Sequence, residues 1–174
     1  MKKIYALIFD VLLIAVSMSI LAMGLVFARK KTLEIGHLAP DFTLKDDTGQ
    51  LRTLKAMRGK KMVLYFYPMD STPGCTKQAC SIRNSFTDLT SAGIEVWGIS
   101  PDSVRSHAAF KKEHNLPFPL LSDKGKKVAK IYGVKRFFGV KRVTFLIDKQ
   151  GMIGAILKDI DVKHHAHQII DAFK

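Results

Sequence analysis

Apolar residues fall into two kinds of run along this chain. The first is long and near the start: Ile4 to Ala28 is almost unbroken, interrupted by one charge at Asp10 and flanked by Lys2 and Lys3 before it and by Arg29, Lys30 and Lys31 after it. A helix of this length, rising about 1.5 Å per residue, matches the ~30 Å hydrocarbon thickness of a bilayer. It also exceeds the roughly 7 to 15 apolar residues of a cleaved secretory signal. Residues 1–31 are therefore expected to form a membrane anchor, with a cleaved signal ending at Val26-Phe27-Ala28 as the alternative. The short two-lysine tail is expected to stay in the cytoplasm of a bacterial cell, which puts the remaining domain, residues 32–174, on the extracytoplasmic side of the inner membrane.

The second kind of run is short and punctuated. Phe42 to Leu44 and Leu51 to Leu54 flank Asp46-Asp47-Thr48-Gly49, whose Asp and Gly residues predict a hairpin turn. Met62 to Tyr67 reads as a buried strand stopped by Pro68. After a loop, a helical stretch runs from Cys75 to about Leu89 and closes at Gly93. Ile94 to Ser100 is a second buried strand, followed by a helix for which Asp102 is the expected N-cap. Phe118 to Leu121, a short helix over Val128 to Tyr132, strands at Val143 to Ile147 and Met152 to Leu157, and a last helix from about His164 to Phe173 complete the pattern. Strands that are apolar on both faces and alternate with helices predict an α/β fold, a central mixed sheet with helices on both faces. The order of elements is that of a thioredoxin-like fold with an N-terminal β-hairpin extension.

With 174 residues, 47% of them hydrophobic, the chain has room for one such domain and an appendage but not for two ordinary domains. The net charge of +13 raises the question of a polyanionic partner. Lys60, Lys61, Lys111, Lys112, Lys124, Lys126, Lys127 and Lys163 are scattered, without interleaved aromatics, so they read as a solvated surface and no nucleic-acid partner is expected.

Two cysteines are too few for a disulfide-stapled scaffold, but their placement carries chemistry. Cys75 follows strand, Pro68, loop and Thr72-Pro73-Gly74, which puts it in the first turn of a helix. Unpaired backbone N–H groups and the positive end of the helix dipole favour a thiolate there. Cys80 lies five residues on, with Cα atoms about 8.7 Å apart on ideal helical geometry, beyond the ~7 Å that a disulfide tolerates. A product formed on Cys75 must therefore persist until the helix melts locally. A sulfenic acid, made when a thiolate attacks a peroxide, is the species that fits. Two buried, inert cysteines are the alternative reading of the same spacing.

The segment Tyr65-Phe66-Tyr67-Pro68-Met69-Asp70-Ser71-Thr72-Pro73-Gly74-Cys75-Thr76 carries the P-x-x-x-T-x-x-C signature of peroxiredoxins. Together with APDFTL, GKKMVLYFYP, TPGCTKQAC, GISPDS, LPFPLLSD, YGV and TFLID, in that order, the chain resembles the peroxiredoxin Q branch, also called bacterioferritin comigratory protein, over nearly all of residues 35–174. The resemblance implies a thiol-dependent peroxidase acting on hydrogen peroxide or alkyl hydroperoxides, reduced by a thioredoxin-like dithiol protein, with no metal, haem or flavin. It implies that Cys75 is the peroxidatic cysteine and Cys80 the resolving cysteine, closing an intramolecular disulfide in a chain expected to work as a monomer. Thr72 would hydrogen-bond the peroxide, Pro68 would shield the sulfur from water, and Arg142 would stabilise thiolate and transition state. Gln78 stands where the family commonly has glutamate, which predicts a less firmly oriented arginine.

The remaining histidines admit a plainer reading. His164 and His167 are i, i+3 on the last helix and could suggest a metal site, but with His165 they fit the first turn of a surface helix. His37, His107 and His114 are expected at the surface or on helix faces. Two rivals share a thioredoxin-like fold: a membrane-tethered copper-binding chaperone of the Sco type, whose cysteines sit one residue closer together than these, and a dithiol exchanger, which would need a CxxC that this chain lacks.

Overall fold

A computed structural model describes residues 33–174. Its seven strands form one mixed sheet in the order β2-β1-β5-β4-β3-β6-β7. Strands β1 (Thr43–Asp46) and β2 (Leu51–Thr53) make the expected hairpin. The turn is organised by Asp46, whose carboxylate accepts from the Thr48 and Gln50 amides at 2.9 and 3.0 Å, while Gly49 takes a φ of 86°. Burial pushes the Asp46 carboxyl up, but these bonds and those from the Thr48 hydroxyl and Arg52 outweigh it and hold it below the ordinary carboxylate range.

The centre of the sheet is β3 (Lys61–Phe66), β4 (Ile94–Ser100) and β5 (Leu120–Ser122), all parallel, with β6 (Val143–Ile147) antiparallel to β3 and β7 (Ile153–Leu157) antiparallel to β6. Side chains alternate across a strand, so β3 feeds two cores. Met62, Leu64 and Phe66 pack on one face with Trp97, Tyr132 and Phe145. Val63, Tyr65 and Tyr67 pack on the other with Cys75, Ile82, Phe110 and Ile169. Cys75 therefore lies against the second face.

The stretch read as one helix is two. Helix α1 (Pro73–Asn84) ends at Ser85, and α2 (Phe86–Ser91) follows. Helix α3 (Val104–Glu113) is capped by Ser103, whose hydroxyl accepts from the Ser106 amide at 3.2 Å, and not by Asp102. Asp102 is used elsewhere: its carboxylate accepts from the Ser100 hydroxyl at 2.6 Å and from the Asp70 amide at 3.0 Å. A short helix α4 (Lys127–Ile131) and the closing helix α5 (His165–Ala172) complete the domain. The expected anchor, residues 1–31, lies outside the described residues. Among the described residues no helix is long and apolar enough to cross a membrane.

Candidate active site

Helix α1 begins where its sequence says a helix should. Pro73 occupies the first helical position, where its missing N–H costs nothing and its fixed φ is already helical. Thr72 is the N-cap residue with an extended backbone (φ −87°, ψ 146°), but its side chain does not cap. Its hydroxyl donates instead to the Met69 carbonyl at 3.0 Å. Cys75 is third in the helix and 2% exposed.

The helix buries Cys75, Gln78, Ala79 and Ile82, an i, i+3, i+4, i+7 stripe facing the sheet. Cys80 falls off that stripe and is half-buried, and both cysteines are free thiols. The helix runs unbroken through both, so its first turn must open before the two sulfurs can meet.

Arg142 enters from the residue before β6. Its Nη2 donates to Cys75 Sγ at 3.3 Å, and its Nη1 donates to Gln78 Oε1. The guanidinium passes close to the helix start, where a Cβ on Gly74 would lie 3.4 Å from Nη2, in ordinary van der Waals contact. One planar guanidinium thus spans the sulfur and the amide three residues along the same helix.

Two sets of residues that the sequence reading left aside complete the site. The first holds the loop between β3 and α1. Asp70 is buried, and its carboxylate accepts from the Tyr67 hydroxyl at 2.7 Å, the Ser106 hydroxyl at 2.7 Å and His107 Nδ1 at 2.9 Å. Burial raises the Asp70 carboxyl, but the His107 bond and charge, with the two hydroxyls, outweigh it and hold it below the usual carboxylate range. His107, expected at the surface or on a helix face, lies on a face of α3 but is fully buried, because that helix carries it over the loop as a partner for Asp70.

The second set lies behind Gln78. Its Nε2 is 3.1 Å from His165 Nδ1, and His165 Nε2 is 3.0 Å from Thr144 Oγ1. Gln78, His165 and Thr144 are all 0% exposed. His165 was expected on a surface helix turn; instead the face it shares with Ala166 and Ile169 packs inward. Burial, then the Arg142 charge, pushes its pKa down to about 4. The other two histidines of that cluster stay exposed, and His164 pairs with Asp161 at 2.9 Å. Among the described residues no group of three His, Cys, Asp or Glu side chains is placed to hold a metal ion.

Pro68 is half-buried at the end of β3, beside the loop. Tyr65 and Tyr67 stack beneath the site with ring centroids 5.3 Å apart. Burial, together with the Asp70 and Cys75 charges, pushes the Tyr65 hydroxyl well above the ordinary tyrosine range, so it stays protonated and is no base for the thiol.

Residues 35–156 match the model of the AhpC/TSA family. A Coxiella burnetii protein assigned as a peroxiredoxin of the bcp type is 46% identical over 147 residues, which are 80% of this chain and 97% of that protein. Peroxiredoxin Bcp of Bacillus subtilis is 42% identical over 151 residues, 82% of this chain and 96% of that protein. Among solved structures, peroxidoxin BcpB of Mycobacterium tuberculosis superposes with a TM-score of 0.77 at 35% identity, covering 80% of this chain and 96% of its own. The chain belongs to the AhpC/TSA family, within the peroxiredoxin Q and Bcp branch. It has the thioredoxin-like fold of that branch and is a thiol-dependent peroxidase.

These relationships correct the expected location. The relatives, named as peroxiredoxins of the Bcp type, are matched over nearly their whole length by about four-fifths of this chain. The expectation of a membrane-anchored enzyme with an extracytoplasmic domain is therefore not supported by these Bcp relatives. Neither the Sco-type copper chaperone nor the dithiol exchanger is favoured beside peroxiredoxin relatives.

Proposed function

We propose that residues 32–174 form a single-chain peroxidase in which Cys75 is the attacking sulfur and Cys80 the resolving one. The observation that carries this reading is Arg142 Nη2 lying 3.3 Å from a cysteine sulfur at the third position of a helix. A fixed guanidinium and a helix start both favour negative charge on that sulfur. The Cys75 thiolate attacks the nearer oxygen of hydrogen peroxide or an organic hydroperoxide, the O–O bond breaks, and the leaving oxygen departs as water or alcohol after gaining a proton. Cys75 is then a sulfenic acid.

Thr72 suits the role of peroxide ligand because its own proton is given to the Met69 carbonyl, so its oxygen can accept the O–H of the incoming peroxide. Pro68 closes the side of the loop toward the end of β3 and keeps water from the sulfur. Once the first turn of α1 opens, the Cys80 sulfur displaces hydroxide from the sulfenic acid, water is released, and an intramolecular disulfide forms. A thioredoxin-like dithiol protein then takes up the disulfide and returns both thiols. Because resolution needs no second subunit, the cycle works in a monomer.

The test is transient kinetics on two variants. Cys75→Ser is expected to abolish peroxide consumption, whereas Cys80→Ser should keep one rapid, stoichiometric oxidation and lose multiple turnovers with the dithiol donor. Steady-state activity in Cys75→Ser at the wild-type level would refute the assignment.

A further inference from the structure

Gln78 poses a problem that a glutamate would not. A carboxylate offers an acceptor oxygen to Arg142 whichever way it turns, but an amide has one oxygen and one NH2 group. Only the orientation with Oε1 toward Arg142 holds the guanidinium; the flipped one sets NH2 protons against a cation. In this structure Oε1 accepts from Arg142 Nη1, and Nε2 lies 3.1 Å from His165 Nδ1. The amide nitrogen has only protons to give, so His165 Nδ1 must accept. The ring proton then sits on Nε2, which faces Thr144 Oγ1 at 3.0 Å.

We propose that His165 is a positioning residue for peroxide reduction: as a neutral, Nδ1-accepting imidazole anchored by Thr144, it fixes the rotamer of the Gln78 amide and thereby aims Arg142 at the Cys75 sulfur. Gln78 and His165 are each fully buried and meet at 3.1 Å from two different helices, α1 and α5. The low basicity of the buried ring keeps Nδ1 free to accept at neutral pH. The proposal rests on the reading of Arg142 as the charge that stabilises the reacting sulfur, and an Arg142→Ala variant with undiminished oxidation would defeat that reading first.

The experiment measures the second-order rate constant for oxidation of the reduced full chain by hydrogen peroxide, by stopped flow, in a mutant grid. His165→Leu removes the acceptor and is expected to slow oxidation about 10-fold, the scale of a modest misplacement of a reacting group. His165→Asn, whose side-chain oxygen can stand at the Nδ1 position, should stay within about 3-fold of wild type. In a Gln78→Glu background, where no amide needs orienting, His165→Leu should change the rate by less than about 3-fold. Equal slowing of His165→Leu in both backgrounds would mean a structural role only and would overturn the proposal, as would no slowing in the Gln78 background. Should the leucine variant not fold, 15N NMR of the unmodified reduced protein decides alone. A His165 ring protonated at Nε2 and bare at Nδ1 is expected, and a proton on Nδ1 contradicts the proposal.

Discussion

In the proposed cycle Arg142 is the residue on which the chemistry turns, because its guanidinium joins the Cys75 sulfur to the buried polar chain behind it. That chain holds His165 fully buried as a neutral ring, and this has a thermodynamic signature. The pKa of His165 falls from the ordinary 6.5 to about 4 in the folded protein. Between these values the unfolded chain binds a proton that the folded one does not, so stability rises with pH across the window from 4 to 6.5 and is lost as the medium is acidified through it. Taken from pH 7.5 to pH 5, His165 should cost the fold about 2 kcal/mol. Urea unfolding of wild type and His165→Asn at the two pH values checks this: the variant should lose less stability than wild type on acidification, and equal losses would contradict the burial of a neutral ring.

Among the elements, α1 and the loop before it have opposing duties. In the proposed cycle the helix must be formed for Arg142 to meet Cys75 and must open for Cys80 to reach it. The loop is pinned by Asp70, which takes three side-chain donors and gives its amide to Asp102, and Ser71 accepts a left-handed φ of 53° to make the turn. Replacing Asp70 with Asn turns part of an acceptor into a donor facing other donors. We expect Asp70→Asn to lose about 2 to 4 kcal/mol of stability and to slow the first oxidation, as Thr72 and the start of α1 lose their fixed place. Urea titration and stopped-flow oxidation check the two effects. Because the Asp70 carboxyl is held below its ordinary 3.8, its contribution is present above that pH and fades only in stronger acid.

For the whole molecule, the doubly covered sheet explains both what the sequence discloses and what it hides. The strands MVLYFY and VTFLI are legible because each is apolar on both faces, and Thr72-Pro73-Gly74-Cys75 is legible because a proline and a cap residue punctuate the chain locally. Gln78 can be singled out as well, both by its place in the peroxiredoxin motif and because it interrupts the apolar stripe of Cys75, Ala79 and Ile82. Its partner cannot, because His165 is 87 residues away, and His107 is 37 residues from Asp70. Neither burial is legible locally, because a polar residue on a helix carries no mark of burial until the packing of that helix is known. The break at Ser85 was likewise hidden, for nothing between Cys75 and Leu89 is a glycine or proline.

Close packing of the site face also makes one glycine irreplaceable. A Cβ on Gly98, in the middle of β4, would fall 2.6 Å from the Tyr65 hydroxyl and 2.7 Å from Leu120 Cδ2. Tyr65 is 1% exposed and Leu120 is 0% exposed, so neither can move away. Gly98→Ala should therefore cost at least about 1 to 3 kcal/mol by overpacking, read as a lowered denaturation midpoint, and an unchanged midpoint would mean that this core is looser than the geometry states.

The central claim is an order of events on two sulfurs: Cys75 reacts first, and Cys80 joins it only after the helix start opens. Treating the reduced protein with one equivalent of hydrogen peroxide and following it by intact mass and peptide mapping tests this directly. The account predicts early capture of a sulfenic acid on Cys75 alone, giving way to a Cys75 to Cys80 disulfide within one chain. First oxidation at Cys80, or a Cys75 thiol left intact after peroxide is consumed, would contradict it.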